Sequence, residues 1–266
     1  YPSMLILNTE PDHLQRICPE LPVPLRYSMD YNGIDQYGSI SQANNNIFDI
    51  DWRQPLSFET WYFHVPGQTM FFYGKINTGA GYFFSSIGSR DVLRLQIRNT
   101  SPFNLIDVYS KGTLSAGWNH IVITYNGNGG AEYDVQFTIN DVQSALPNDW
   151  GQGSQLTGGT NSTTALAETG RLAVFNAYGV GTVAHMRLWK NIELTSTEVT
   201  TLYNGGKVLY DNVPQSNLLL FDTGFADENH SWYGVNGWIM EELSDNSNFI
   251  FGRNSTIADR NINVPS

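Results

Sequence analysis

Residues 93–98 read LRLQIR, in which apolar and polar side chains alternate without a break. Successive side chains of an extended strand point to opposite faces of its sheet, so this pattern predicts a strand with one face in a core and the other toward solvent. Residues 133–139, YDVQFTI, alternate in the same way and predict a second strand of this kind.

A third stretch, LSFETWYF at residues 56–63, carries apolar side chains on both faces in its second half. This composition is typical of a central strand that is covered on both sides. From residue 25 onward, short strand-like runs are separated by clusters of Gly, Asn, Asp and Pro, which is the pattern of an antiparallel β-sandwich.

One short helix is predicted after Leu194. Thr195 and Glu198 have the spacing of a capping box, and Leu194 can pack against Val199 as a hydrophobic staple. The pair of glycines at residues 205–206 then favours a left-handed helix end.

The overall composition excludes several classes of protein. Only 15% of the 266 residues are charged and 13% are aromatic, which argues against a disordered chain or a coiled coil. The formal charge of −11 disfavours nucleic acid as a partner. The single cysteine, Cys18, allows neither an intrachain disulfide nor a cysteine-based zinc cluster.

No apolar run is long enough to predict a membrane span. Because residue 1 is Tyr rather than Met, we expect the sequence to be a processed or truncated product. Residues 1–24 contain five prolines and predict an extended N-terminal arm. Residues 208–266 are rich in Asn, Asp, Gly and Ser and predict a C-terminal extension.

Three groups of motifs occur in an order and spacing that match a known family. They are MDYNGIDQY at 29–37 with FETWYF at 58–63, GWNHIVITYNG at 117–127, and HMRLWKN at 185–191 with LYNGG at 202–206. Together they resemble the laminin-G-like, concanavalin A-like jelly rolls, which include pentraxin-type domains. The resemblance implies an all-β jelly-roll sandwich of two antiparallel sheets over residues 25–207, and it does not imply one function.

Many members of this family hold Ca²⁺ through oxygen ligands in the opening loop. The resemblance therefore implies a Ca²⁺ site at Asp35 and Asn32, whose side chains supply hard oxygen donors. The closing strand departs from the family pattern, because Ala184 and His185 stand where the family often has acidic residues. The alternative interpretation is that Asn32 and Gly33 simply form a turn. No other cofactor is expected.

Binding of a glycan would use exposed aromatic rings together with planar polar groups. The predicted ligand-binding residues are Tyr82, Trp150, Trp232 and Trp238, and Tyr178 and Tyr233 are further aromatic residues in loops or at their edges.

An enzyme is not predicted. Related jelly rolls with glycosidase activity carry three carboxylates in register on one strand, and this sequence lacks that pattern. The nearest approaches are the pairs Asp49 with Asp51 and Glu132 with Asp134, which we interpret as solvated loop charges.

The leading hypothesis is a non-catalytic recognition or adhesion module that binds a carbohydrate or a surface protein. The alternative is a structural or decoration protein of a larger assembly, such as a virus or phage particle, which contacts other subunits through its terminal segments. A glycoside hydrolase is the third hypothesis. The first two suit an extracellular or virion-surface protein.

Overall fold

The computed structural model describes residues 23–24, 28–40, 48–77, 80–99, 105–129, 133–145, 149–150, 167–173, 176–205, 208–209, 213–215, 218–222, 231–234, 237–241, 249–253 and 260–261. Two large antiparallel sheets, here called sheet I and sheet II, dominate this part of the chain.

Sheet I has eight strands. Seven of them follow in spatial order: β11 (Val142–Gln143), β10 (Val135–Ile139), β9 (Gly117–Tyr125), β4 (Leu56–His64), β16 (Val180–Lys190), β2 (Ser28–Asn32) and β22 (Arg260–Asn261). The eighth, β18 (Leu219–Asp222), pairs with β16.

Sheet II has ten strands. In spatial order they are β12 (Asp149–Trp150), β8 (Leu105–Thr113), β7 (Val92–Arg98), β6 (Gly81–Ile87), β5 (Phe71–Ile76), β13 (Glu168–Thr169), β3 (Tyr37–Ile40), β21 (Phe249–Arg253), β20 (Gly237–Glu241) and β19 (Ser231–Gly234). Two further pairs are β1 (Val23–Pro24) with β17 (Val208–Leu209), and β14 (Arg171–Leu172) with β15 (Ala177–Tyr178).

The core lies between the two sheets. Phe58 of sheet I stacks on Phe84 of sheet II with ring centroids 4.6 Å apart, and both side chains are fully buried. Burial of such a ring contributes about 1.5–3 kcal/mol. The predicted all-β sandwich of two antiparallel sheets is therefore confirmed.

The alternation at residues 93–98 predicted the apolar face of β7 correctly. Leu93, Leu95 and Ile97 are at most 1% exposed and belong to the core. The prediction that Gln96 faces solvent is wrong, because Gln96 is only 1% exposed.

The strand predicted at residues 133–139 is shorter than expected. Tyr133 precedes β10 and is 69% exposed, so the prediction that it faces the core is wrong. The prediction of a central strand at residues 56–63 is confirmed, since β4 pairs with β9 on one side and β16 on the other and is buried throughout except at Phe63.

The predicted helix is α1 (Ser196–Gly205), and its capping box is confirmed. The Thr195 backbone amide donates to Glu198 Oε2 over 2.8 Å, and the Glu198 amide donates to Thr195 Oγ1 over 3.3 Å. Leu194 and Val199 lie in one apolar cluster with Trp189, which fixes the helix on the side of sheet I that faces away from the core.

Five described strands of the C-terminal extension are part of the sandwich. Strands β18 and β22 join sheet I, and the three strands β19 to β21 join sheet II next to β3, whereas β17 pairs with β1 outside both sheets. Most of the predicted arm, residues 1–24, lies outside the described residues. No helix in the described ranges has the length and apolar character needed to cross a membrane.

Candidate ligand-binding face

One row of cross-strand partners runs over the outer face of sheet II, which is the face turned away from the core. Partners in register share a face, so the row can be followed from strand to strand. It consists of Ser39, Glu168, Gly74, Phe83, Gln96 and Asp107. The residue after Phe83 is Phe84 and the residue before Gln96 is Leu95. Both belong to the core on the opposite face of the sheet.

At one end of the row, Arg171 is held between a carboxylate and two tyrosine rings. Its guanidinium pairs with Glu168, and Nε donates to Oε2 over 3.2 Å. The guanidinium carbon lies 3.5 Å from the ring centroid of Tyr37 and 5.9 Å from that of Tyr178. Both tyrosines are half-buried, and their ring centroids are 6.4 Å apart. We call Tyr37, Arg171 and Tyr178 the tyrosine–arginine platform.

Two glycines allow this platform to form. Gly170, with a φ of 76°, turns the chain from β13 into β14, and a Cβ there would lie 2.3 Å from the Tyr31 ring. Gly74 leaves room for Leu172, because a Cβ on Gly74 would meet Leu172 Cδ2 at 3.3 Å and Phe83 Cβ at 2.7 Å. The β14–β15 hairpin therefore packs onto the outer face of sheet II.

At the other end of the row, Arg94 repeats the arrangement. Its Nε and Nη2 each donate to Asp107 over 2.6 Å. Its guanidinium carbon lies 5.0 Å from the ring centroid of Phe83 and 5.4 Å from that of Tyr109. The guanidinium carbon of Arg90, which is exposed, also lies 5.4 Å from the ring centroid of Tyr109. A second cluster of arginine and aromatic groups therefore lies on this face.

Arg98 extends the cluster along β7. It is half-buried and lies on the same face as Arg94 because the two are four residues apart in one strand. Burial lowers the pKa of Arg98, and the positive charge of Arg94 lowers it further.

The two clusters bring four arginines onto this face together with two carboxylates. They are Arg90, Arg94, Arg98 and Arg171 with Asp107 and Glu168.

The two carboxylates are too far apart for glycoside hydrolysis. Glu168 and Asp107 lie in the same row with four strand spacings between them, which amounts to about 19 Å. A pair of catalytic carboxyl groups in a glycosidase is separated by roughly 5–9.5 Å.

The carboxylates that came closest to a glycosidase pattern in the sequence form ion pairs and hydrogen bonds with neighbouring side chains. Asp49 pairs with the buried ammonium of Lys75, and Asp51 accepts from Arg53 Nε over 2.7 Å. The hydrogen bond from Arg53 lowers the pKa of Asp51. Asp134 accepts from Asn126 Nδ2 over 3.0 Å. Glu132 lies outside the described residues.

The residues implied for Ca²⁺ lie together, but they form a turn. Asn32 Oδ1 accepts from the backbone amides of Ile34, Asp35 and Gln36 at 2.9, 3.2 and 3.3 Å, and its Nδ2 donates to Asp35 Oδ1 over 2.9 Å. Gly33 adopts a φ of 75°. These bonds support the turn interpretation, and the described ranges contain no group of three or more His, Cys, Asp or Glu residues placed to hold a metal.

The aromatic residues predicted to bind a ligand do not form one site. The prediction for Tyr82 is wrong, because this side chain is 1% exposed and its hydroxyl donates to the Phe48 carbonyl over 2.9 Å inside the core. Trp150 is in the edge strand β12, whereas Trp232 and Trp238 are in β19 and β20 near the opposite edge of sheet II. Eight or nine strand spacings, about 40 Å, lie between them. Their side chains are outside the described part of the structure.

Two further aromatic residues were predicted to lie in loops or at their edges. Tyr178 belongs to the platform, and Tyr233 of β19 lies opposite Trp238 of β20 in the strand register. Sequence reasoning missed Tyr37, Arg94, Asp107, Glu168 and Arg171. The alternating arginines of residues 93–98 were the one available signal, since they placed Arg94 and Arg98 on the non-core face of a strand.

A second polar cluster, on the outer face of sheet I, is fully buried. Glu59 Oε1 lies 3.1 Å from His120 Nε2, and Glu59 Oε2 lies 3.2 Å from Arg187 Nη1. All three side chains are at most 1% exposed, and Tyr203 of α1 packs over His120 with ring centroids 5.6 Å apart. This cluster joins three strands and the helix.

Searches against protein-family models and against curated proteins each gave no match. Similar solved structures include the heptameric SAP-like pentraxin of Limulus polyphemus, with 12% identity, a TM-score of 0.49, and coverage of 88% of this chain and 98% of the pentraxin. Domains LG4-5 of the mouse laminin alpha1 chain have 10% identity, a TM-score of 0.41, and coverage of 62% of this chain and 41% of theirs.

A third similar structure is the CBM40 module of the Ruminococcus gnavus IT-sialidase, solved with α2,6-sialyllactose. It has 9% identity and a TM-score of 0.41, and the match covers 66% of this chain and 97% of the module. The pentraxin and the laminin domains are of the kinds that the sequence motifs resemble.

Proposed function

We propose that this protein is a non-catalytic carbohydrate-recognition module whose ligand lies on the outer face of sheet II. The observation that carries the proposal is the tyrosine–arginine platform, in which Arg171 lies 3.5 Å over Tyr37 and 5.9 Å from Tyr178.

The chemistry of the platform suits a sugar ring. A pyranose has an apolar face of C–H groups that packs on tyrosine rings, and hydroxyl groups around its edge that accept from planar N–H donors. Arg171 supplies such donors, and its pairing with Glu168 holds the guanidinium in one orientation before a ligand arrives.

The second cluster, around Arg94 and Tyr109, supports a ligand of more than one sugar. It lies on the same face as the platform, with the buried side chains of Phe83 and Leu172 between them. Tyr37 in β3 and Arg94 in β7 are four strand spacings apart, about 19 Å, so an extended oligosaccharide would contact both clusters.

A non-catalytic role is supported by the placement of the carboxylates. Glu168 and Asp107 are each neutralised by an arginine, and their separation does not suit a glycosidase pair. A glycan ligand implies a protein that works outside the cell, on a secreted, cell-bound or virion surface. A role as an assembly subunit stays a prediction from the sequence.

The test is a glycan array with the intact protein, followed by calorimetric titration of the glycans that bind. We expect Tyr178→Ala to weaken binding about fivefold or more, the equivalent of one lost aromatic contact. The matched control is Tyr133→Ala, because Tyr133 is an exposed tyrosine that lies next to β10 in sheet I, away from the proposed binding face.

Both variants are checked for folding by thermal unfolding. The proposal is overturned if the folded wild-type protein binds no glycan. The site assignment is overturned if Tyr133→Ala and Tyr178→Ala weaken binding equally.

A further inference from the structure

Five aromatic rings form a connected cluster on the outer face of sheet I, beside the end of α1. Trp61 of β4 lies opposite His120 of β9, and Phe63 lies opposite Trp118 two residues further along the same face. Tyr203 of α1 stacks on Trp61 with ring centroids 6.1 Å apart, and Phe63 contacts Trp118 edge to face with centroids 5.6 Å apart. We call these five residues the sheet I ring cluster.

The cluster has a buried part and an accessible part. Trp61 and His120 are 5% and 0% exposed, whereas Phe63, Trp118 and Tyr203 are only half-buried. The three half-buried rings therefore present an aromatic surface to which the apolar part of another molecule can bind.

Three buried ring nitrogens of the cluster have no hydrogen-bond partner among the described residues: Trp61 Nε1, Trp118 Nε1 and His120 Nδ1. An indole N–H can only donate. His120 Nε2 lies 3.1 Å from the Glu59 carboxylate, so we assign a proton to Nε2 and, in the neutral ring, an acceptor to Nδ1. Because buried polar groups are rarely left without a partner, the cluster indicates a ligand that supplies both acceptors and a donor.

A proline-rich polypeptide has the properties that these rings require. In the polyproline II conformation the backbone makes no internal hydrogen bonds, so its carbonyl and N–H groups are available to a binding surface. Proline-rich segments with the PxxP spacing bind in grooves lined by aromatic rings. Residues 19–24 of this chain read PELPVP, in which Pro19 and Pro22 have this spacing.

The proline-rich segment precedes two strands that lie close to the cluster. Strand β1 follows the segment directly and pairs with β17, which starts five residues after Tyr203. Met29 of β2 pairs with Val183, which pairs with Tyr62 in β4, so Met29 is two strand spacings, about 10 Å, from Tyr62. Pro24 is five residues before Met29 and lies within about 18 Å of it. Residues 19–22 can therefore reach the cluster.

We propose that residues 19–22 of the chain's own N-terminal arm bind to the sheet I ring cluster. The proline rings pack on the half-buried aromatic rings, and backbone carbonyl groups accept from the two indole N–H groups. This inference goes beyond the proposed function, because it assigns an interaction surface to the other sheet of the sandwich. Attachment within one chain gives the segment a local concentration of about millimolar, which favours it over a separate peptide of the same sequence.

The test uses Cys18, which directly precedes the segment and is the single cysteine of the chain. A nitroxide spin label on Cys18 is expected to broaden the ¹⁵N-indole NMR signals of Trp61 and Trp118 in the intact protein. The signal of Trp52 is the reference, because the Trp52 carbonyl accepts from Tyr125, which pairs at the far end of β4. The signals are identified with Trp61→Phe and Trp118→Phe, and broadening is measured against the reduced label.

Substitution of the two prolines locates the contact. Pro19→Ala combined with Pro22→Ala is expected to remove most of the broadening. In the unlabelled protein it should also speed hydrogen exchange of both indole N–H groups about tenfold, the effect of one lost hydrogen bond. The matched control, Pro2→Ala combined with Pro11→Ala, changes two prolines elsewhere in the arm and should leave both measurements unchanged. Thermal unfolding checks that both variants are folded.

A mixed sample tests whether the arm belongs to the same chain. Spin-labelled protein without ¹⁵N is mixed with ¹⁵N-labelled protein that carries no spin label. Broadening in this sample would show that the arm of a second copy binds the cluster, and it overturns the proposal. The proposal is also overturned if the signals of Trp52, Trp61 and Trp118 broaden equally, or if the Pro19 and Pro22 substitutions leave indole exchange unchanged.

Discussion

The guanidinium carbon of Arg171 lies 3.5 Å above the centre of the Tyr37 ring while the same side chain pairs with Glu168. The group is therefore fixed on two sides, by an aromatic face and by a carboxylate. Only a flat guanidinium can stack its plane on the ring, whereas any cation can pair with the carboxylate.

Arg171→Lys separates these two contributions. We expect it to keep the ion pair with Glu168 but to weaken glycan binding about 3- to 10-fold, because an ammonium does not present a planar surface to the ligand. Calorimetric titration of wild type and variant measures the change. Arg53→Lys, at an exposed ion pair outside the face, serves as the control. Unchanged affinity in Arg171→Lys would contradict a stacking role for the guanidinium.

Glu59→Gln tests the buried cluster of sheet I. The substitution keeps the shape of the side chain but removes the negative charge that faces Arg187, which is 1% exposed. Breaking a buried ion pair in this way typically costs about 3–5 kcal/mol of the free energy of unfolding. Urea unfolding measures the loss. Asp51→Asn, in an exposed pair, should be much less destabilising, and equal losses would show that burial of the Glu59 charge is not what matters.

Thr195→Ala tests the helix cap. Thr195 Oγ1 accepts from the Glu198 amide over 3.3 Å, and loss of this cap should reduce the free energy of unfolding by about 1 kcal/mol. Thr197→Ala is the control, because it replaces an exposed threonine in the same first turn that is not the cap. Thermal or urea unfolding of both variants decides between a cap effect and a general effect of helix propensity.

The pH dependence of stability contains a contribution from Asp51. Its hydrogen bond from Arg53 lowers the pKa of Asp51 in the folded protein. A lowered folded pKa means that the ionised carboxylate stabilises the fold above the unfolded pKa, about 3.9, and that this contribution is lost as the pH falls through the folded pKa. Arg53→Gln should therefore raise the pKa of Asp51 and reduce stability near neutral pH but not in strong acid.

Carboxyl NMR titration checks this directly. The pKa of Glu198 is the internal control: burial raises it, but hydrogen bonds from Gln215 and Thr195 lower it by more, and none of these involves Arg53. An unchanged Asp51 titration in Arg53→Gln would contradict the assigned cause.

Removal of divalent ions tests the loop at Asn32 and Asp35. Because Asn32 Oδ1 already accepts three backbone amides, we expect glycan affinity and thermal unfolding to be the same in EDTA as in millimolar Ca²⁺. A loss of either in EDTA, reversed by added Ca²⁺, would return these residues to a metal-binding role.

Local patterns predicted the strands and the helix because their signals lie within a few residues. Leu93, Leu95 and Ile97 alternate with polar residues in sequence and are buried together in β7. The capping box of Thr195 and Glu198 is likewise a contact over three residues. Alternation alone does not say what covers the second face, and so Gln96 was expected in solvent although it is buried.

The candidate face could not be predicted in the same way. Tyr37 and Arg171 are far apart in sequence and meet because β13 pairs with β3 and the β14–β15 hairpin folds back over Gly74. Tyr82 was wrongly predicted to bind a ligand for the same reason. Its position after Gly81 resembles the edge of a loop, but the register of β5 and β6 directs its side chain into the core.

Periodicity, capping residues and composition thus determined the all-β fold class, the helix α1 and the net negative charge, since each depends on neighbours along the chain or on counts of residues. The tertiary structure alone decided which residues share the outer face of sheet II. Strand order and register are set by packing of the whole core, so the meeting of Arg94 with Asp107 and of Arg171 with Tyr37 has no counterpart in any single stretch of sequence.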